Sequence, residues 1–271
     1  MDLSGVRLVV SDMDGTLLNS EGKVSERFFE LYHELKKHNI HFAAASGRQY
    51  HSITDKLAKI AEDITIIAEN GGVAKQNGNE LLVTHLPKEK IEYLISLLRE
   101  VDGVYIVLCG KDKSYIETKE ISFIDLFNEY YAAYEIVDDL TLVDHKDILK
   151  IAVFHFESSE EHIYPVVKHL ENEMQVKVSG QNWLDLSHPD ANKGTALRFL
   201  QNRLGISKEE TMVFGDYNND LEMIHEAYFS FAMANAHPNI KKSARFETAS
   251  NNDDGVVQIL EQLVKAKNQK P

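Results

Sequence analysis

Asp12 and Asp14 stand one residue apart at the end of the apolar run Val9-Val10-Ser11. In an extended strand, side chains two residues apart project from the same side, so the pair brings two like charges together. Holding two anions close costs free energy unless a cation or a proton sits between them. Gly15 follows, giving the turn backbone freedom and letting a ligand approach the main chain. Asp-Gly is also an ordinary turn pair, so these residues alone leave a plain turn and a cation site both open.

Two further places repeat the pattern. The run HFAAAS ends on Ser46-Gly47-Arg48, a hydroxyl and a flexible amide where phosphoryl oxygens could be bound. The run TMVFGD ends on Gly215-Asp216 and leads into Asn219-Asp220. Oxygens converging from Asp12, Asp14 and Asp216 suit a magnesium ion, which one or two carboxylates and waters usually hold. Lys193 opens a helical pattern nearby. Most lysines are solvated surface residues, but beside Asp220 an anchored ammonium could face a phosphoryl group.

These residues need elements that deliver them to one place. The first third of the chain alternates apolar strands (VRLVVSD, IHFAAAS, ITIIAEN) with helices, one of them SERFFELYHELKKHN with Ser25 at its N-cap, the next running through Ile60. Such alternation predicts an α/β, doubly wound parallel sheet covered on both faces. AKQNGNELLV reads as a hairpin turning at Asn77-Gly78. From about Thr84 the rhythm changes to short strands and intervening helices, including FIDLFNEYYAAY and EEHIYPVVKHLENE. That pattern predicts an antiparallel α+β sheet covered on one face. After Asn192 the strand–helix alternation returns, and the tail from Lys265 reads as frayed. The expectation is a discontinuous core, 1–83 and 189–271, with an inserted domain at 84–188.

Composition narrows the chemistry. The 271 residues carry a formal charge of −14, which argues against nucleic acid or an anionic membrane as a partner. No apolar stretch approaches the roughly 20 residues of a bilayer span. Cys109 is the only cysteine; it reads as a small buried hydrophobe, with no intramolecular disulfide possible and a cytoplasmic location expected. The twelve histidines show no ligand spacing with the carboxylates. Trp183 and the tyrosines 130, 131 and 134 read as packing or as a substrate platform.

Taken in order, Asp12-Met13-Asp14-Gly15-Thr16, Ser46-Gly47-Arg48, Lys193-Gly194 and Gly215-Asp216-x-x-Asn219-Asp220 resemble the four motifs of the haloacid dehalogenase superfamily. The likeness is closest to its Cof-type phosphatases, whose cap is inserted between the second and third motifs. The resemblance implies a Rossmann-like core with an α/β cap, and a magnesium-dependent phosphatase acting on small phosphate esters. It implies that Asp12 is the nucleophile forming an aspartyl-phosphate and a metal ligand. Asp14 would be the general acid/base, binding metal through its backbone carbonyl, and Asp216 a side-chain ligand. Ser46, Gly47 and Lys193 would contact the phosphoryl group and Asn219 the substrate, with Asn70 near it; Thr16 and Asp220 would support them. The chain departs from the family's pattern at Asp190-Ala191-Asn192 and Met233-Ala234-Asn235-Ala236, where Asn192 and Ala234 could reshape the site rim. A phosphomutase or phosphotransferase on sugar phosphates, and a non-catalytic phosphometabolite-binding module, are the alternatives on the same residues. Oligomeric state is not legible.

Overall fold

Leu8–Asp12, five consecutive buried residues, form strand β1 in the middle of an eight-stranded sheet. The structure is a computed structural model and describes residues 1–131 and 133–269. From β1 the chain runs through α1 (Glu26–Lys37), β2 (His41–Ala45), α2 (Tyr50–Lys56) and β3 (Thr65–Ala68) into the hairpin β4 (Val73–Gln76) and β5 (Asn79–Val83). Asn77 and Gly78 both have positive φ, 48° and 71°, the conformation of a tight type I′ turn.

The next segment holds α3 (Lys88–Leu98), β6 (Val104–Gly110), β7 (Ser114–Ile116), α4 (Ile121–Phe127), β8 (Tyr134–Ile136) and β9 (Ile148–His155). It continues through α5 (Ser159–His162), α6 (Tyr164–Val167), β10 (Gln175–Val178) and β11 (Trp183–Ser187). The chain closes with α7 (Lys193–Leu204), β12 (Thr211–Gly215), α8 (Leu221–His225), β13 (Phe229–Ala232), α9 (Pro238–Ser243), β14 (Phe246–Glu247) and α10 (Gly255–Gln269).

The first sheet has the order β14-β13-β12-β1-β2-β3-β4-β5, parallel from β14 to β3 and antiparallel through the hairpin. Helix α1 packs against α10, and α7 against α8. Phe28, Leu31, Tyr32 and Leu35 lie three and four residues apart, so one stripe of α1 enters the core. Ser25 occupies the N-cap position, but its hydroxyl donates to Asp254 and caps no backbone N–H. This is the doubly wound α/β arrangement expected.

The second sheet, β10-β11-β9-β6-β7-β8, is antiparallel except for the β7–β8 pair. Alternate residues of its long strands serve two cores. Ile106, Leu108, Ile151 and Val153 pack with Leu94 and Leu98 of α3, while Val107, Cys109, Ala152 and Phe154 pack with Phe123, Phe127 and Tyr131. Both faces are therefore covered, not one as expected, because α4 brings its aromatic side chains over the second face.

Other segments also differ from the sequence reading. The helix expected over 123–134 stops at Phe127, and Tyr134–Ile136 form β8; Ala132 lies outside the described residues. The helix expected over 160–173 is two short helices and a 3₁₀ turn, with Pro165, which has no N–H to donate, near the break. Helix α2 ends at Lys56 rather than running to Ile60. Helix α10 continues to Gln269 where fraying was expected from Lys265; residues 270 and 271 lie outside the described residues.

Candidate active site

Strands β12, β1, β2 and β3 are adjacent and parallel, so their carboxyl ends open on one edge, where open α/β sheets bind ligands. Asp12 pairs in register with Ala45 and Ser11 with Phe214. Asp216, Asp12, Ser46 and Glu69-Asn70 therefore emerge side by side. Gly15, at φ 75°, turns the chain beneath them; a Cβ there would lie 2.2 Å from Asp216 Oδ2. Only glycine lets that carboxylate sit over the turn.

Lys193 begins α7, whose N-cap is Asn192; the Asn192 side chain accepts from the Thr195 N–H at 2.8 Å. The fully buried Lys193 ammonium donates to Asp12 Oδ1 at 2.5 Å and to Asp220 Oδ1 at 2.7 Å. Asp220 Oδ2 accepts from the backbone N–H groups of Asp216 and Tyr217 at 2.9 and 3.2 Å. Both oxygens of Asp220 are thus committed. Asp12 Oδ2 is buried and finds no hydrogen-bond partner among the described residues. Thr16 donates to Asp216 Oδ1 at 3.4 Å.

Asp12, Asp216 and Asp220 each place an oxygen within 4.8 Å of the others, and three carboxylates face one ammonium. Burial, then the Asp220 carboxylate, pushes the Asp12 carboxyl well above the usual range, with Lys193 pulling back. Burial and Asp220 likewise raise Asp216 to about 7. Burial disfavours the Lys193 charge, yet Asp12 and Asp220 outweigh it and hold its pKa above the ordinary value. The cluster carries more negative charge than its lysine can balance.

Asp14 lies apart from this cluster. Its exposed carboxylate accepts from Arg48 Nε and Nη2, both at 2.7 Å, a two-pronged pairing with geometric specificity. Relief of the repulsion between Asp12 and Asp14 thus comes from two separate side-chain cations, Lys193 and Arg48. The Asp14 side chain does not join Asp12 and Asp216 in one ligand set.

The site opens into a cavity of about 540 Å³. It is lined by Asp12, Asp14, Ser46, Gly47, Asn70, Asp216 and Asn219 from the first-sheet part of the chain and by Tyr130, Tyr131, Lys150, Trp183 and Asp185 from the segment that holds the second sheet. Asn219 donates to Asn70 Oδ1 at 3.0 Å, and Asn70 donates to Asp185 Oδ2 at 3.3 Å. Asn192 and Ala234, where the chain departs from the family's pattern, do not line the cavity. Trp183 does so while packing on Phe154 and Tyr130, with ring centroids 5.0 and 5.9 Å away.

Glu69, Lys150 and Asp185 were not singled out by sequence reasoning. The usable signal was parity: Lys150 interrupts the apolar run ILKIAVFH on the face shared by Ala152 and Phe154, where an unpaired charge is not tolerated. Contrary to the expected histidine spacing, His155, Glu157 and His162 bring ligand-type atoms within 4.8 Å of one another. His155 Nδ1 there accepts from the N–H groups of Glu157 and Ser158. Cys109 is buried as expected, and burial raises its thiol pKa to about 12.

Comparison with known proteins bears on what this arrangement does. The family model described as haloacid dehalogenase-like hydrolase matches residues 9–260. The 5-amino-6-(5-phospho-D-ribitylamino)uracil phosphatase YbjI of Escherichia coli (strain K12) is 34% identical over 267 residues, covering 96% of this chain and 97% of that protein. The crystal structure of SMU.1108c from Streptococcus mutans UA159 superposes with a TM-score of 0.88 at 26% identity, covering 96% of this chain and 99% of that one. At 18% identity, the HAD subclass IIB sugar phosphatase BT4131 shares the fold, with a TM-score of 0.81 and coverage of 95% and 98%.

Proposed function

We propose that this chain, which belongs to the haloacid dehalogenase-like hydrolases and is a phosphatase of that family, hydrolyses small phosphorylated metabolites with magnesium through an aspartyl-phosphate. The observation that carries this reading is Asp12. One of its oxygens is held by a buried lysine, while the other is buried and unpartnered among the described residues, on a residue that lines the cavity.

The residues present fit a magnesium ion. The Asp12 oxygen without a partner among the described residues and the raised pKa values of Asp12 and Asp216 mark a place where a cation would replace protons. Asp12, Asp216 and the backbone carbonyl of Asp14 would hold it, Asp220 being committed to Lys193 and two backbone N–H groups. When bound, the ion supplies neutralisation of the phosphoryl oxygens and keeps the nearby carboxylates ionised.

The chain's own groups then do the following. Asp12 attacks phosphorus in line as the bond from phosphorus to the ester oxygen breaks. Lys193 and the backbone N–H groups around Gly15 and Gly47 stabilise charge on the equatorial oxygens. Ser46 and Asn219 position the phosphoryl group and the substrate. Asp14 gives its proton to the leaving alkoxide, then takes one from the water that attacks the aspartyl-phosphate and frees Asp12. Because both Asp14 oxygens accept from Arg48, this role requires that the fork opens when substrate enters.

We read 84–188 as a cap that closes over the organic part of the substrate and excludes water. Tyr130 and Trp183 beside Asn70 and Asp185 suit a sugar or polyol phosphate, including one that carries a flat ring, such as the compound named for the Escherichia coli relative. The acidic surface and the absence, among the described residues, of any helix long and apolar enough to cross a membrane accord with action on small solutes. Phosphate release from a panel of phosphorylated sugars, polyols and nucleotides, with p-nitrophenyl phosphate as reference, tests the reading. Turnover is expected to vanish on chelation and in Asp12→Asn; undiminished turnover in either case overturns it.

A further inference from the structure

A second buried lysine lines the same cavity, and the reaction described above does not use it. Lys150, on β9 of the second sheet, is 3% exposed. Its ammonium lies 3.0 Å from Glu69 Oε2 and 3.3 Å from Asp185 Oδ1, and it donates to the Gly47 carbonyl at 3.2 Å. Glu69 follows β3 of the first sheet, Asp185 lies on β11 of the second, and Gly47 belongs to the turn after β2. One ammonium therefore ties three separate strand ends or strands together across the junction of the two sheets.

The local backbone shows what that tie restrains. Glu69 and Asn70 are consecutive non-glycine residues in the left-handed region, φ 52° and 55°, where L side chains are strained. Their N–H groups donate to Arg48 O at 3.0 Å and Ser46 O at 2.9 Å, so the strained pair is joined to the Ser46–Arg48 turn. Asn70 spans from Asp185 to Asn219. Glu69 Oε1 has no hydrogen-bond partner among the described residues, leaving Lys150 as the group that compensates its burial. Burial also works against the Lys150 charge, but Asp185 and Glu69 hold it protonated.

Resting on the phosphatase reading, we propose that Lys150 is a positioning residue: through Glu69, Asp185 and the Gly47 carbonyl it holds the Ser46–Arg48 turn and the Asn70–Asn219 pair in the arrangement that receives the phosphoryl group. The second sheet thereby helps to shape the site as well as to cover it. Although Lys150 lines the cavity, its ammonium is engaged by those three partners, so its loss misplaces groups and removes no chemistry.

Steady-state kinetics of Lys150→Met with p-nitrophenyl phosphate and magnesium tests this. Its leaving group is small and flat, making few demands on the second sheet. The expected result is a kcat about tenfold to a hundredfold lower, the scale of a small misplacement, with KM changed less than about threefold. Unchanged kcat in the folded variant overturns the proposal, and so does a raised KM at unchanged kcat, which would make Lys150 a substrate contact. Since Lys150→Met strands two buried carboxylates, a penalty that endangers folding, the triple variant Lys150→Met/Glu69→Gln/Asp185→Asn removes the ion group together. If that variant melts cooperatively and retains the wild-type kcat, the proposal also fails; a kcat tenfold or more below wild type supports it. Wild-type protein without turnover would instead sink the phosphatase reading itself, so the two failures are distinguishable.

Discussion

Two of the buried lysines, Lys193 and Lys150, each facing two carboxylates, mark a proposed place for chemistry and a proposed place for alignment. Lys193 lies 2.5 and 2.7 Å from its partners Asp12 and Asp220, and Lys150 lies 3.0 and 3.3 Å from Glu69 and Asp185. What separates the two clusters is the remainder. Around Lys193 a third carboxylate, Asp216, stands beside an Asp12 oxygen that has no partner among the described residues. Around Lys150 a Glu69 oxygen is unpartnered among the described residues too, but no third carboxylate of theirs joins Glu69 and Asp185, and a backbone carbonyl and an asparagine amide complete the group. A buried lysine is therefore no sign of catalysis by itself; the uncompensated charge beside it is.

The largest effect that would sharpen this contrast is at Asp12. Asp12→Asn is expected to lower turnover about 10⁴-fold or more, as loss of a nucleophile does elsewhere, with little change in melting temperature. Comparable residual turnover in steady-state assays would erase the distinction between the clusters. Lys193→Met should cost about 3–5 kcal/mol of stability, the penalty for stranding buried partners, together with most of the activity; urea unfolding and phosphate release read the two separately.

A smaller effect concerns pH. Asp216, raised to about 7 by burial and Asp220, binds its proton more tightly in the folded protein than in the unfolded chain, where about 3.9 is normal. In metal-free protein that contribution to stability is whole below about pH 4 and is lost as pH rises through about 7. Magnesium competes with the same proton, so the rise in melting temperature on adding it should be larger at pH 8 than at pH 5. Asp216→Asn should flatten that difference; an equal rise at both pH values in the wild type would remove Asp216 from the ligand set. Last, Arg48→Gln breaks a pair that is exposed on the Asp14 side. Its stability cost should be about 1 kcal/mol or less, while kcat in steady-state assays changes because Asp14 is no longer held by the guanidinium fork.

The strand-end carboxylates were legible because a parallel sheet delivers its carboxyl ends to one edge, which turns Asp12, Ser46 and Asp216, distant in sequence, into neighbours. Lys193 was legible through its place at the start of the helix after the insert. The Arg48–Asp14 fork was not, since nothing in Ser-Gly-Arg says where a long side chain will reach. Lys150 and Asp185 sit inside strands that read as apolar, and apart from each other their partners, Glu69, Gly47 and Asn70, come from the strand ends of the first sheet. Strand β8 was missed because three residues among tyrosines continue a helical pattern, and the role of Glu69 depends on a backbone conformation that its side chain does not advertise.

Gly71, at φ 99°, has one further consequence. A Cβ there would sit 2.3 Å from the Asn192 carbonyl, so the turn joining β3 to β4 within the first sheet passes against the chain returning to that sheet, immediately before Lys193. The returning chain is thus seated on the first sheet's own turn. Swapping in a foreign segment ahead of Asn192 would preserve activity only if the graft left that approach, and the glycine that permits it, untouched.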